Sequence, residues 1–161
     1  MAKVKKKFPS DDQDYALWWL ILHVRRAMHK LRARELFEFG ITPEESTVLS
    51  VVQAIGKRAT PAEIARYVLR EPHSISTLLS RMKEAGLVNK VKDLEKKNLV
   101  RIELTSKGRK AYKQSLKRES IHKVMSCLSE EERRQLDMLL DKLCRKTVEE
   151  LGMKRKPPFL R

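Results

Sequence analysis

Residues 72–87, PHSISTLLSRMKEAGL, set short hydroxyl side chains at helical spacing. Wound at about 100° per residue, Ile75, Leu78, Leu79 and Met82 share one side, the i, i+3, i+4, i+7 pattern of a buried stripe. The other side carries His73, Thr77, Ser80 and Glu84, with Ser74 and Arg81 along one flank. A merely solvated face favours long charged helix formers. Mid-helix hydroxyls compete with the backbone and are mildly unfavourable, so Thr77 and Ser80 call for another reason. Hydroxyls donate and accept, and so suit phosphate oxygens or either kind of base edge. Their shortness lets a helix backbone come close to the floor of a DNA major groove. Pro72 opens the helix, and the N–H groups behind it can face phosphate. Arg81 can fork onto a phosphate or a guanine. For Ser74 and Ser76 the competing reading is a simple helix N-terminal cap. The candidate contacts on this helix are Ser74, Ser76, Thr77, Ser80 and Arg81.

Charge supports the same chemistry. The chain has 161 residues, 36 of them Lys or Arg against 21 Asp or Glu, for a formal net charge of +15. Such an imbalance costs self-repulsion and points to a polyanionic partner. Between residues 90 and 118 there are eleven basic residues and three acidic ones. The polar stretch DLEKKN within that segment carries Lys96, Lys97 and Asn98, which would lie along the strand backbone or in the minor groove. No Ser/His/Asp or Cys/His set is visible, and Glu130, Glu131 and Glu132 are consecutive and splay round a helix start, so no catalysis is expected. Cys127 and Cys144 match no zinc spacing and no C-x-x-C pair. His23 and His29, six residues apart, cannot share a metal on one helix, and neither metal nor cofactor is expected. The first ten residues lack the apolar segment of a signal peptide, and the longest apolar run is far short of a membrane span; a cytoplasmic protein without membrane contact is expected.

The elements that hold these residues follow from periodicity and caps. A basic arm over 1–10 precedes a long helix from about Asp11 to Phe39, whose first half, YALWWLIL, is apolar on every side. One core cannot use so much apolar surface, which predicts a second chain against it. TPEE and TPAE each place Thr as N-cap, Pro at N1 and Glu at N3, opening helices near Pro43–Ile55 and Pro61–Leu69. The hydroxyl-faced helix follows and stops at Gly86. Period two then predicts strands at Val88–Lys92 and Leu99–Leu104. Thr105 caps a helix expected to run unbroken to about Cys127, and Ser129 with Glu132 boxes a last helix over Glu130–Leu151. Two short helices across a tight break, then a basic-tipped hairpin, make a winged helix-turn-helix. The expected fold is mostly α with a small β-hairpin wing, the winged helix-turn-helix core lying between long dimerisation helices. The expected division is a flexible arm over 1–10, a helical dimerisation region over 11–40 and 106–152, a DNA-binding lobe over 41–105, and a tail over 153–161.

HSISTLLSRMKEAGLV and LVRIELTSKGRKAY, in this order between long terminal helices, resemble the MarR family of winged-helix transcriptional regulators over about Asp14–Leu151. The resemblance implies a homodimer joined through its first and last two helices. It further implies binding to a pseudo-palindromic operator in double-stranded DNA, usually to repress. By position it carries over recognition-helix contacts to Ser74, Ser76, Thr77 and Arg81, and the wing tip to Lys96, Lys97 and Asn98. Many members have an acidic residue followed by arginines there, and lysine lacks arginine's planar fork. The resemblance also implies a small aromatic or phenolic effector bound between the dimer helices and the lobe, beside Trp18, Trp19 and His23. The alternative is a basic winged-helix module for RNA or protein, without ligand regulation.

Overall fold

Caps set the helix starts. In the computed structural model, which describes residues 11–92, 99–153 and 157–158, α1 (Gln13–Phe37) begins where the Asp12 carboxylate accepts the N–H groups of Asp14 and Tyr15 at 2.8 and 3.1 Å. Thr42 and Glu45 close a reciprocal capping box that opens α2 (Pro43–Ile55). Thr60 accepts the Glu63 N–H and opens α3 (Pro61–Val68). α4 (Pro72–Glu84) ends in a Schellman motif: Leu87 N–H donates to the Met82 carbonyl at 2.8 Å and Gly86 N–H to that of Lys83 at 2.9 Å. Gly86 takes the left-handed φ of +70° that this motif requires.

The chain then forms an antiparallel hairpin of β1 (Val88–Lys92) and β2 (Val100–Leu104), pairing Val88 with Leu104 and Lys90 with Ile102. Ile102 N–H also donates to the Ala59 carbonyl at 2.7 Å, which ties the hairpin to the turn before α3. α5 (Ser106–Ser115) starts at Thr105, whose hydroxyl accepts from Gly108 N–H and donates to the Gly86 carbonyl at 2.6 Å. A Cβ at Gly108 would sit 2.0 Å from the Leu87 carbonyl oxygen, so only glycine lets α5 press onto the end of the Schellman turn. That contact is the physical content of the LTSKG stretch.

One core holds the lobe. Leu36, Val48, Leu49, Ile64, Ile75, Leu79, Met82, Val88 and Ile102 are all essentially excluded from solvent and join in a single cluster with Ile41, Ala59, Leu87 and Ala111. The four apolar positions of the 72–87 stretch all enter it. Burying each Leu, Ile or Met side chain contributes roughly 1.5–3 kcal/mol.

The unbroken helix expected from Thr105 to Cys127 is corrected: it is two helices, α5 and α6 (Glu119–Met125), with Arg118 between them in the left-handed region at φ +51°. Two side chains of α1 bind the helix ends on either side of this break. Arg32 donates to the Ser115 carbonyl at 2.5 Å, near the C-terminus of α5. Glu35 accepts the N–H groups of Glu119 and Ser120, at 2.9 and 3.3 Å, and the Ser120 hydroxyl, at the N-terminus of α6. The two side chains pair at 2.8 Å, each only slightly exposed. Burial alone would raise the Glu35 pKa, but hydrogen bonds from Ser120 and Arg32 and the two backbone N–H groups outweigh it and hold the carboxyl at about 2.

α7 (Glu130–Glu150) opens with the Ser129–Glu132 box and lies largely outside the core. Leu136, Leu139, Leu140, Leu143 and Leu151 are exposed, and Val148 alone in this helix is buried. The first half of α1 likewise shows Leu17, Trp18, Leu20, Ile21 and Val24 to solvent. Among the described residues, no helix is long and apolar enough to cross a membrane.

Candidate nucleic-acid interface

α4 is held from three sides, and its remaining side faces out. Its inner residues fill the core, its C-terminus is locked by Gly86 and Leu87, and Lys107 donates to its final carbonyl region at Ala85, at 2.8 Å. At the other end Glu71 supplies no side-chain cap. Ser74, Ser76, Thr77 and Arg81 are all exposed, together with His73 and Glu84. All four predicted residues are therefore open to solvent on a helix of 13 residues, with Ser74, Thr77 and Arg81 toward one flank and Ser76 on the other.

Local hydrogen bonds decide what the hydroxyls offer. Thr77 donates to the His73 carbonyl at 3.2 Å, which leaves its oxygen lone pairs and its methyl group outward. Ser80 is half-buried and donates to the Ser76 carbonyl at 3.0 Å. Its oxygen also accepts from the ammonium of Lys90, at 3.1 Å. Ser80 thus positions a cation from β1 beside α4 rather than standing free. Sequence reading counted Lys90 only as bulk charge, because the β1-to-α4 contact depends on strand register. With Val88 and Leu104 paired and buried, Lys90 lies one step further out on that face and reaches α4. The wing-tip candidates Lys96, Lys97 and Asn98 fall outside the described residues.

Of the effector candidates, Trp19 and His23 are in contact, and His23 borders a hollow. Trp18 is 53% exposed on the apolar side of α1, stacked on Tyr15 at 5.3 Å. Trp19 packs against the His23 ring at 4.5 Å and accepts a hydrogen bond from it through its carbonyl. His23 borders an open hollow of about 560 Å³ with Arg25, Arg26, His29, Lys30 and Glu44. A smaller adjoining cavity of about 170 Å³ shares Arg25, His29 and Glu44 and continues to Arg70, with Val48, Val68, Ile75 and Leu78 as its apolar floor. Glu44 accepts from His29 at 2.9 Å and sits 3.8 Å from the Arg70 guanidinium. Burial would raise the Glu44 pKa, but the His29 hydrogen bond, its helix N-terminal backbone and the nearby Arg70 charge lower it below the ordinary carboxylate range. The cavity was not legible in the sequence, because α1, α2 and the α3–α4 turn each supply one or two of its polar residues. Arg70, two residues before the proline that opens α4, was the one local hint.

Three helices and a hairpin in this arrangement define a winged helix-turn-helix protein. The model of the MarR family matches residues 39–91. The organohalide-sensing RdhR transcriptional regulator, in its 2,4-dichlorophenol-bound form, is 30% identical over 98% of both chains, with a TM-score of 0.85. The chain belongs to the MarR family. A MarR mutant from E. coli bound to operator DNA shares the fold at 22% identity, over 79% of this chain and 92% of that one, with a TM-score of 0.74. The S. aureus MepR–DNA complex does so at 24% identity, over 84% and 99%, also with a TM-score of 0.74. No curated protein sequence matches the chain.

Proposed function

We propose that the protein is a homodimeric transcriptional regulator that binds a pseudo-palindromic operator in double-stranded DNA and represses by occupying it. The observation that carries this reading is the outer face of α4. Ser74, Ser76, Thr77 and Arg81 are exposed on a helix whose inner side is fully committed to the core. Lys90, fixed by Ser80, adds a phosphate contact at the groove edge, and Lys96 and Lys97 serve the wing. The second chain covers the leucines of α7 and the apolar first half of α1, which no single protomer buries. In this reading residues 41–105 contact DNA, and 11–40 with 106–152 build the dimer.

The effector is a small aromatic or phenolic anion. The cavity of about 170 Å³ beside α1 supports this: Arg25, His29 and Arg70 line it with one carboxylate, above an apolar floor. The RdhR regulator holds 2,4-dichlorophenol, a ligand of that class. Selection of duplexes from a random library by the purified protein tests the main reading. An inverted repeat with half-sites about 34 Å apart, or a multiple of that, is expected. A library that emerges without an enriched motif would refute it.

A further inference from the structure

The backbone passes between the proposed DNA-contacting lobe and the helices outside its core at two places. One is α1, which enters the core only at Leu36 near its C-terminal end. The other is the break between α5, whose Ala111 is in the core, and α6, which is not. Arg32 and Glu35 stand at the point where these two connections cross.

We propose that the Arg32–Glu35 pair is a clasp that fixes the bend between α5 and α6, and so sets the half-site spacing that the dimer accepts. This rests on the dimeric DNA-binding reading above. The bend does not follow from the local sequence. Beyond Gly108, residues 109–125 contain neither glycine nor proline, and a straight helix through Arg118 would avoid its left-handed backbone, which costs about 1–2 kcal/mol. The clasp supplies the compensation from outside. Its cation takes a carbonyl at the end of α5 and its anion takes the first N–H groups of α6, the signs that both helix dipoles favour. The pair thus stabilises the two new helix ends that the bend creates. It acts on no base directly; it positions the surface that does. Weakening it lets the bend relax toward the continuous helix, and a change of direction at Arg118 shifts one recognition helix relative to its partner.

The test is binding to a duplex series in which two half-sites are separated in single base-pair steps. Wild type is expected to prefer one separation by about tenfold or more. Glu35→Gln, verified as a folded dimer by circular dichroism and sedimentation, is expected to flatten that preference to within about threefold. Adding Arg118→Gly, which makes the left-handed turn inexpensive, is expected to restore most of it. General destabilisation would lower affinity at every separation alike and leave the shape of the spacing profile unchanged. Should Glu35→Gln fail to fold, Ser120→Ala removes one bond of the clasp and is expected to broaden the preference partly. An unchanged spacing profile in either folded variant overturns the clasp. Wild type that binds no paired-site duplex overturns the dimeric reading, and the clasp with it.

Discussion

In the proposed function, base reading turns on Thr77. Its hydroxyl proton is directed to the His73 carbonyl, so it offers acceptors and a methyl group outward. Those groups suit amino donors and a thymine methyl, and they discriminate among base pairs. Thr77→Ala is therefore expected to lower affinity unevenly, by up to about 1–3 kcal/mol at one or two positions of a site and little elsewhere, in anisotropy titrations on a panel of single base-pair variants. Lys90→Ala, removing a cation that Ser80 holds in place, is expected to weaken all duplexes alike and to reduce the slope of log affinity against log salt by about one. An uneven Lys90 effect, or an even Thr77 effect, would move the groove assignment elsewhere. Gly108 makes a different point. A methyl group there collides with the Leu87 carbonyl, so Gly108→Ala is expected to cost more than about 2 kcal/mol in urea unfolding, and alanine's better helix propensity will not offset it.

At the level of elements, the helix starts were legible and one interruption was not. Thr42, Thr60, Thr105 and Ser129 each cap the helix that their sequence context announced, because a cap acts over three or four residues. The hairpin and the buried stripe of α4 were legible for the same reason, being local periodicities. The α5–α6 break was invisible, since the side chains bound to its two helix ends, Arg32 and Glu35, are more than 80 residues away. The cationic cavity beside Glu44 escaped likewise, its residues coming from three separate elements. For the site itself, the sequence points to Ser74, Ser76, Thr77, Arg81 and Ser80 as contacts on α4, but it does not show what holds Ser80. The structure gives its oxygen to Lys90. A pH prediction belongs to this scale. The Glu35 carboxyl titrates at about 2 when folded against an ordinary value of 4.5, so it contributes stability above about 4.5 and loses it as pH falls toward 2. Urea unfolding from pH 6 down to pH 2.5 is expected to show wild type losing its advantage over Glu35→Gln. A difference of about 2 kcal/mol is expected at the upper end. A difference that stays constant across the range would show that the ionised carboxylate does not carry the clasp.

The whole molecule shows an unequal distribution of both charge and apolar surface. Leu139 is 60% exposed and Leu143 52% exposed on α7, while Leu17 and Trp18 show comparable surface on α1. The proposed pairing with a second copy would remove that surface from water. Leu143→Glu is expected to yield monomers in sedimentation at micromolar concentration. It is also expected to reduce affinity for paired half-sites by about 10²-fold or more, since the second recognition helix no longer binds intramolecularly. Its effect on a single half-site should be small. Of the net charge of +15, more than half comes from residues 90–118, with eleven basic side chains against three acidic ones. Such a distribution speeds encounter with DNA and makes affinity strongly salt-dependent, but it confers no sequence preference. Preference depends on how closely the exposed side of α4 meets the bases. Guanine N7 methylation interference, on duplexes selected by the wild-type protein, measures that approach directly. Two clusters of interference in successive major grooves, one per half-site and weakened at single positions by Thr77→Ala, are the predicted result. Strong binding to those duplexes with no interference at any guanine N7 would contradict it.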